Sequence, residues 1–415
     1  MIKTVMIGKE RDGILSLKGI MFRRYVWPSI MLLLVCVTTA TAATDPKLIY
    51  DQSTDALYNL DFNTAQHGYE TLTHDYPDDP DYWNALAASI WLRIMYDQQK
   101  LNVESFSGDS LGTKESRDAV NPKEEKRLRE TIATAVAKCD AMLKKNPKDI
   151  RALYAKGIAN ATLASFEASA KRSYLSAGGK AKTARDLHQQ VLEIDPTFDD
   201  ARMSIGTFNY VVGVIPGFVR FLLLPLGIRS AGKELGIQQL ETAAAKGKNT
   251  STDARMMLIV VYNREKRYDD ALKIVSELHM RYPRNFIFEM AKASTYAKMK
   301  RWDDVVRTYE QILSKVEGRK DGYERLAAHK VYYLLGTSNV DRLQLDAAID
   351  AFGHVVKSKD APNNDKANAY LWMGKIYDSG GQRTLALQQY DTILALDCDS
   401  NIKAQAEQFK RKPYK

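Results

Sequence analysis

Residues 252–285 read TDARMMLIVVYNREKRYDDALKIVSELHMRYPRN, and this stretch decides the fold. Leu258, Tyr262, Tyr268, Ala271 and Leu278 are spaced so that each half of the segment gathers its apolar residues on one helical face, and Pro283 ends the unit. Tyr296 follows Tyr262 by 34 residues, with Ala293 before it and Trp302, Val305, Tyr309 and Ile312 after it. The same order returns as Tyr332, Leu335, Gly336, Ala348, Phe352 and Pro362. It returns again as Tyr370, Met373, Gly374, Tyr377, Ala386, Tyr390 and Ile393. Small residues such as Gly336, Gly374, Ala271 and Ala386 let two helices approach, and Tyr262, Tyr309, Phe352 and Tyr390 fill the space beside them.

A unit of about 34 residues, with a small residue and tyrosine in its first helix and alanine then an aromatic in its second, resembles the tetratricopeptide repeat. The units 252–285, 286–319, 329–362 and 367–400 carry this pattern. The first half of the chain is a weaker version: Ala65, Tyr69, Leu72 and Pro77, then Trp83, Leu86, Ala87 and Ile90, then Ala135, Cys139, Met142 and Pro147. Asp79-Pro80, Asn146-Pro147 and Asp195-Pro196 mark turns. A polar loop is expected around 100–123, and a long first helix from about 151 to 176, ended by a linker at Gly178-Gly179. The expected fold is all-α: a tetratricopeptide-like superhelical array of antiparallel helix hairpins with a central apolar insertion. Its parts are a signal peptide over 1–42, degenerate N-terminal repeat-like helices over 43–200, an elaborated unit over 201–250 and a C-terminal repeat array over 251–415.

The insertion is residues 208–228, FNYVVGVIPGFVRFLLLPLGI. Its apolar content approaches that of a membrane span, but Pro216, Gly217, Arg220, Pro225 and Gly227 break any single helix across it. It reads as a broken hairpin packed on the repeats, or as a contact for a membrane surface, a partner or an apolar ligand, with Phe218, Phe221 and Leu222 foremost. The order Gly206, Phe208-Asn209, Ile215-Pro216, a Phe/Leu-rich run to Gly227, then Gly232 to Leu240 resembles the eukaryotic tetratricopeptide-39-type and mitochondrial inclusion-clearance family, and secreted bacterial proteins on that plan. That resemblance implies an all-helical array with an elaborated central unit and no enzymatic residues.

Arg23 and Arg24, the apolar run through Val37 and the small residues Ala40 and Ala42 form a secretory signal pattern, with cleavage expected after Ala42. Export to a bacterial periplasm or envelope is therefore the expected localisation, an uncleaved N-terminal anchor being the alternative. The chain has 415 residues and a net charge of +9; its first 42 residues carry +4 of that. Residues 43–100 hold ten Asp/Glu against three Lys/Arg, so an acidic amino end precedes a basic body. With 45% hydrophobic residues the chain is neither disordered nor low-complexity. Cys139 and Cys398 are expected as unpaired, buried thiols.

No chemistry-bearing motif stands out. The six histidines show no zinc-protease spacing, no Gly-x-Ser-x-Gly elbow occurs, and Gly178-Gly179-Lys180 lacks the remainder of a phosphate loop. No catalytic residue, metal or cofactor is therefore expected. The basic residues around 281–301 lack a nucleic-acid recognition motif, so nucleic acid is not an expected partner. Stacked helix hairpins offer a concave face that takes up peptides or helices. The expected function is a non-enzymatic protein–protein interaction scaffold of the bacterial cell envelope. Arg255, Asn263, Lys292, Asn209, Tyr262 and Tyr296 are its candidate contacts with a protein or peptide partner. The alternative is a periplasmic module that binds an apolar or lipidic ligand and accompanies a transporter.

Overall fold

The computed structural model describes residues 45–98, 100–101, 120–217, 221 and 224–415. The signal peptide over 1–42, most of the 100–123 loop, and Phe218 and Leu222 of the insertion lie outside the described residues. The described residues hold seventeen α-helices and no strand. Sixteen form eight consecutive hairpins: α1 (Pro46–Tyr58) with α2 (Phe62–Asp75), α3 (Pro80–Asp97) with α4 (Pro122–Lys145), α5 (Ile150–Ser169) with α6 (Tyr174–Ile194), and α7 (Arg202–Val214) with α8 (Lys233–Lys246). The second half continues with α9 (Ser251–Arg264) and α10 (Tyr268–Arg281), α11 (Phe286–Lys298) and α12 (Trp302–Glu317), α13 (Ala328–Asp341) and α14 (Leu345–Lys357), and α15 (Asn363–Ser379) and α16 (Arg383–Ala395). The last helix, α17 (Ser400–Arg411), packs on α15 and α16 and covers the end of the array. Helices pack chiefly on their neighbours in sequence, which is the signature of a repeat array.

One turn is built five times. Between the two helices of the first, fifth, sixth, seventh and eighth hairpins the middle linker residue is left-handed: Leu60 (φ 63°), Lys266 (61°), Lys300 (57°), Leu343 (60°) and Gly381 (72°). The residue after each donates its N–H five positions back into the first helix: Asp61 to Ala56 (2.9 Å), Arg267 to Tyr262 (2.8 Å), Arg301 to Tyr296 (3.0 Å), Gln344 to Asn339 (2.9 Å) and Gln382 to Tyr377 (2.8 Å). These bonds satisfy carbonyls that a helix end leaves open. Asp269-Asp270 and Asp303-Asp304 stand in the first turn of the following helix, where the helix dipole favours them, as their recurrence in sequence implies.

Small residues meet aromatics as expected. A Cβ on Gly336 would come within 2.6 Å of the Phe352 ring, and one on Gly374 within 2.4 Å of Tyr390. Gly157 performs the same service in the degenerate half, where a Cβ would meet His188 Nε2 at 2.1 Å. His188 is fully buried; it contacts Ser204 Oγ on α7 and, through Nε2, the Tyr154 carbonyl at 3.0 Å. Two expectations are corrected. The first helix of the third hairpin ends at Ser169, and Gly178-Gly179 is no linker but lies in the opening turns of α6. The missing side chain at Gly178 leaves room for Ile228 of the insertion, whose Cδ1 would be 3.3 Å from a Cβ there. Cys139 is buried, whereas Cys398 is half-exposed; both are free.

Two substitutions test these readings. Gly157→Ala forces a methyl into the His188 ring and should lower stability by about 1–3 kcal/mol, the usual cost of overpacking. Leu343 is 81% exposed, so Leu343→Gly forfeits little packing. It relieves roughly 1–2 kcal/mol of left-handed strain against about 0.4–1 kcal/mol of added chain entropy in the unfolded state. The urea midpoint should therefore fall for the first variant and rise for the second.

Candidate partner-binding surfaces

The first helices of the hairpins form the inner layer of such an array, and four of them bring tyrosines and aspartates together. Tyr50 (α1), Asp81 (α3), Tyr154 (α5) and Asp253 (α9) all remain partly accessible, yet burial acts strongly on the ionisation of each. Burial is the largest effect raising the Tyr50 and Tyr154 hydroxyls, and the charges of Asp81 and Asp253 add to both. These side chains therefore lie near enough to act on one another electrostatically, on a wall formed by the first helices. Tyr50 also packs on Tyr69 and Tyr82, with ring centroids 5.8 and 6.1 Å away. Asp81 accepts a hydrogen bond from Arg151 Nε at 2.9 Å.

The wall is closed by contacts between distant parts of the chain. Tyr58, the last residue of α1, donates from its hydroxyl to Asp253 Oδ1 at 2.8 Å across 195 residues, and its ring lies 5.1 Å from that of Tyr282. Asn285 Nδ2 donates to the Tyr58 carbonyl at 2.7 Å, and the Arg284 N–H to Asn59 Oδ1 at 3.3 Å. Tyr96 meets Phe286 with centroids 6.2 Å apart, and Arg325 reaches Asp97 at 3.4 Å. The first two hairpins thus dock on the α10–α11 turn and on the segment before α13, completing one turn of the array.

Burial raises the Asp253 carboxyl from 3.8 to about 6; the Tyr58 hydrogen bond lowers it and the charge of Asp200 raises it. Asp200 is itself buried, its Oδ1 accepting from the backbone N–H groups of Asn249 (2.9 Å) and Thr250 (3.0 Å), which fixes the α8–α9 turn.

The residues singled out by sequence divide into three groups. Arg255, Tyr262 and Asn263 lie on α9, and Lys292 and Tyr296 on α11. Asn263 is buried, donating from Nδ2 to the Ile259 carbonyl (2.9 Å) and to Thr295 Oγ1 (3.0 Å), so it ties α9 to α11. Tyr262 is buried with its hydroxyl on Glu241 (2.7 Å) and the Arg267 guanidinium 4.0 Å over its ring. Tyr296 is half-buried between Arg301 and Lys292, at 4.7 and 5.9 Å. Arg255 is half-buried and forms no hydrogen bond or ion pair among the described residues. Asn209 stands apart on α7. It is buried, donates to Gln239 Oε1 (2.9 Å) and accepts from the Ala231 N–H (3.1 Å), fastening the return of the insertion.

Of the insertion, Phe221 is 71% exposed. Ile228 is buried with Phe208 and Val212 of α7, against Ala181 of α6. Among the described residues no group of three His, Cys, Asp or Glu is placed to hold a metal ion, and no helix is long and apolar enough to cross a membrane. His188 contacts a serine but is held neutral: burial lowers it to about 4. The Tyr50–Tyr154–Asp81–Asp253 wall was missed by sequence reasoning, because its members belong to four units and their meeting depends on the curvature of the array. The surplus of acidic residues at the amino end was the one signal pointing to it.

No protein-family model matches the chain, and no curated protein matches it. Among solved structures, the chain is similar to yeast Tom70, at 14% identity, 89% coverage of either chain and a TM-score of 0.36. It is also similar to a tetratricopeptide repeat protein from Parabacteroides merdae, at 14% identity over 79% of this chain and 98% of that one, TM-score 0.31. Human IFIT1, in its dimer with m7Gppp-AAAA, shares 12% identity over 88% of this chain and 87% of its own, TM-score 0.39. Each is a distant likeness.

The burial of Asp253 predicts a pH dependence. A folded-state pKa above the unfolded one means that the native protein binds the extra proton, so stability falls as pH rises from about 4 to about 6 and is level above that. Asp253→Asn keeps an acceptor for Tyr58 without the charge. Urea unfolding across this window should show the decline in the wild type and its loss in the variant.

Proposed function

We propose that the protein is a non-enzymatic scaffold of the bacterial cell envelope that holds an extended, cation-bearing segment of a protein partner against the inner wall of its array. The observation that carries this reading is the convergence of Tyr50, Tyr154, Asp81 and Asp253, half-accessible, from four first helices. Aromatic faces and carboxylates together attract Lys and Arg side chains, through ring quadrupoles and ion pairing respectively. Among the described residues only Arg151 offsets Asp81, and no basic side chain offsets Asp253, so the wall keeps a demand for positive charge. Arg255, Lys292 and Tyr296 are offered as flanking contacts for the same partner. Asn209, Tyr262 and Asn263 support the wall by holding α7, α9 and α11 in register. The alternative of an apolar cage closed by the insertion gains no support from Phe221, which stands largely in solvent.

Envelope localisation rests on the signal pattern ending at Ala42. N-terminal sequencing of protein from the envelope fraction should begin near Ala43; an intact chain confined to the cytosol would rule export out.

The partner class is tested with an immobilised library of extended peptides graded in Lys and Arg content. Wild-type protein should bind the basic members, and the double variant Asp81→Asn/Asp253→Asn should bind them at least about tenfold more weakly, the loss expected for one desolvated charge pair. Equal binding by the variant, or no preference for basic peptides, would overturn the proposal.

A further inference from the structure

The inner wall runs out to the α2–α3 turn along a ladder of tyrosines. Tyr76, just after α2, meets Tyr82 of α3 with ring centroids 5.8 Å apart; Tyr82 meets Tyr50 of α1 at 6.1 Å, and Tyr50 meets Tyr69 of α2 at 5.8 Å. Tyr76 is 40% exposed, Tyr82 and Tyr50 are partly accessible, and Tyr69 is buried. The planes of successive rings are inclined at 60°, 47° and 60°, so none lies flat against the next. The hydroxyls of Tyr50, Tyr82 and Tyr154 have no hydrogen-bond partner among the described residues, whereas those of Tyr58 and Tyr69 are held by Asp253 and Thr54. Carboxylates follow the ladder. Asp79 and Asp81 share Arg151, one cation between two anions, and Asp75 beside Tyr76 is exposed and forms no ion pair among the described residues.

What such a surface can hold follows from the groups it lacks. The described residues include no strand, so they offer no sheet edge whose N–H and C=O groups could pair with an added strand. An amphipathic helix needs an apolar groove, and a row of tyrosines with free hydroxyls among aspartates is not one. A polyproline II segment fits. Its carbonyls have no internal hydrogen bonds and accept from hydroxyls, its proline rings pack on aromatic faces, and proline brings no N–H for the wall to leave unpaired. The scale agrees: two residues of that helix rise about 6.2 Å, close to the 5.8 and 6.1 Å steps between the accessible rings.

Given a wall that holds an extended, cation-bearing segment, as proposed above, we infer that the segment is rich in proline and lies along Tyr76, Tyr82 and Tyr50 as a polyproline II helix. The rings take the prolines, the free hydroxyls donate to the carbonyls, and Asp75, Asp81 and Asp253 take the basic residues set between the prolines. Such a helix is already extended in solution, so little chain entropy is lost when it docks.

The test is fluorescence anisotropy of the full chain with two labelled peptides of equal charge, each about twelve residues long. One repeats Pro-Pro-Lys and the other Gly-Ser-Lys. The wild type should bind the proline peptide at least about tenfold more tightly, the gain that ring contacts and a preformed extended chain supply. Tyr76→Ser changes an exposed side chain; it should weaken the proline peptide about three- to tenfold and leave the Gly-Ser-Lys peptide within about twofold. Tyr50→Phe/Tyr82→Phe keeps both rings and removes only hydroxyls without a partner in the chain, so the thermal midpoint should hold while the proline peptide weakens about fivefold. Equal affinity for the two peptides would overturn the inference and leave the reading of a basic segment in place. Binding of neither peptide would overturn that reading and the inference with it. A proline preference that survives all three substitutions would put the site elsewhere on the chain and overturn the inference as well.

Discussion

The contact on which the described structure depends joins the first hairpin to the middle of the array. A repeat array needs only neighbour contacts, and such an array can stay open at both ends. Here Tyr58 and Asn59 are held by Asp253, Asn285 and the Arg284 backbone, with Tyr282 against the Tyr58 ring. A long-range closure of this kind converts a one-dimensional stack into an enclosed turn. It recesses Tyr50, Tyr154, Asp81 and Asp253, and their enclosure in turn sets the ionisation of Asp253. The closure thus costs electrostatic free energy, since it buries a carboxylate whose polar partner among the described residues is the neutral Tyr58 hydroxyl.

Much of the fold was legible in the sequence because the determinants of a hairpin are local. Gly336 and Gly374 announce their aromatic partners Phe352 and Tyr390 from sixteen residues away, and the paired aspartates announce α10 and α12. The five left-handed turns were less visible, because four of them use Leu or Lys where glycine would have signalled them. There the hydrogen bond to the carbonyl five positions back, and the packing of the two helices, outweigh a strain of about 1–2 kcal/mol. Gly178-Gly179 misled in the opposite sense. Paired glycines commonly end a helix, but here the missing side chain at Gly178 admits Ile228 and the helix continues through both.

The candidate site was legible only in part, and the reason is geometric. Asn263 and Tyr262 attracted notice as polar or aromatic residues on a first helix, and both prove to be occupied with holding helices together. A side chain's type shows that it can make a hydrogen bond, not with whom. Tyr50, Asp81, Tyr154 and Asp253 belong to four units spanning about half the array, and no periodicity links them. They become neighbours only because small angles between successive hairpins accumulate until the first meets the fifth and sixth.

The same accumulation sets the electrostatics of the inner wall. A wall inside a closed turn is shielded from bulk solvent, so charges there act strongly and at short range. At the wall each unpaired carboxylate raises the cost of folding until something positive arrives. The Asp253 carboxyl, held near 6 with a tyrosine as its partner, is the point in the described structure where that cost is concentrated. A cation brought to it by a bound segment would pull its ionisation back toward the ordinary range and so return, as binding free energy, what the closure had spent.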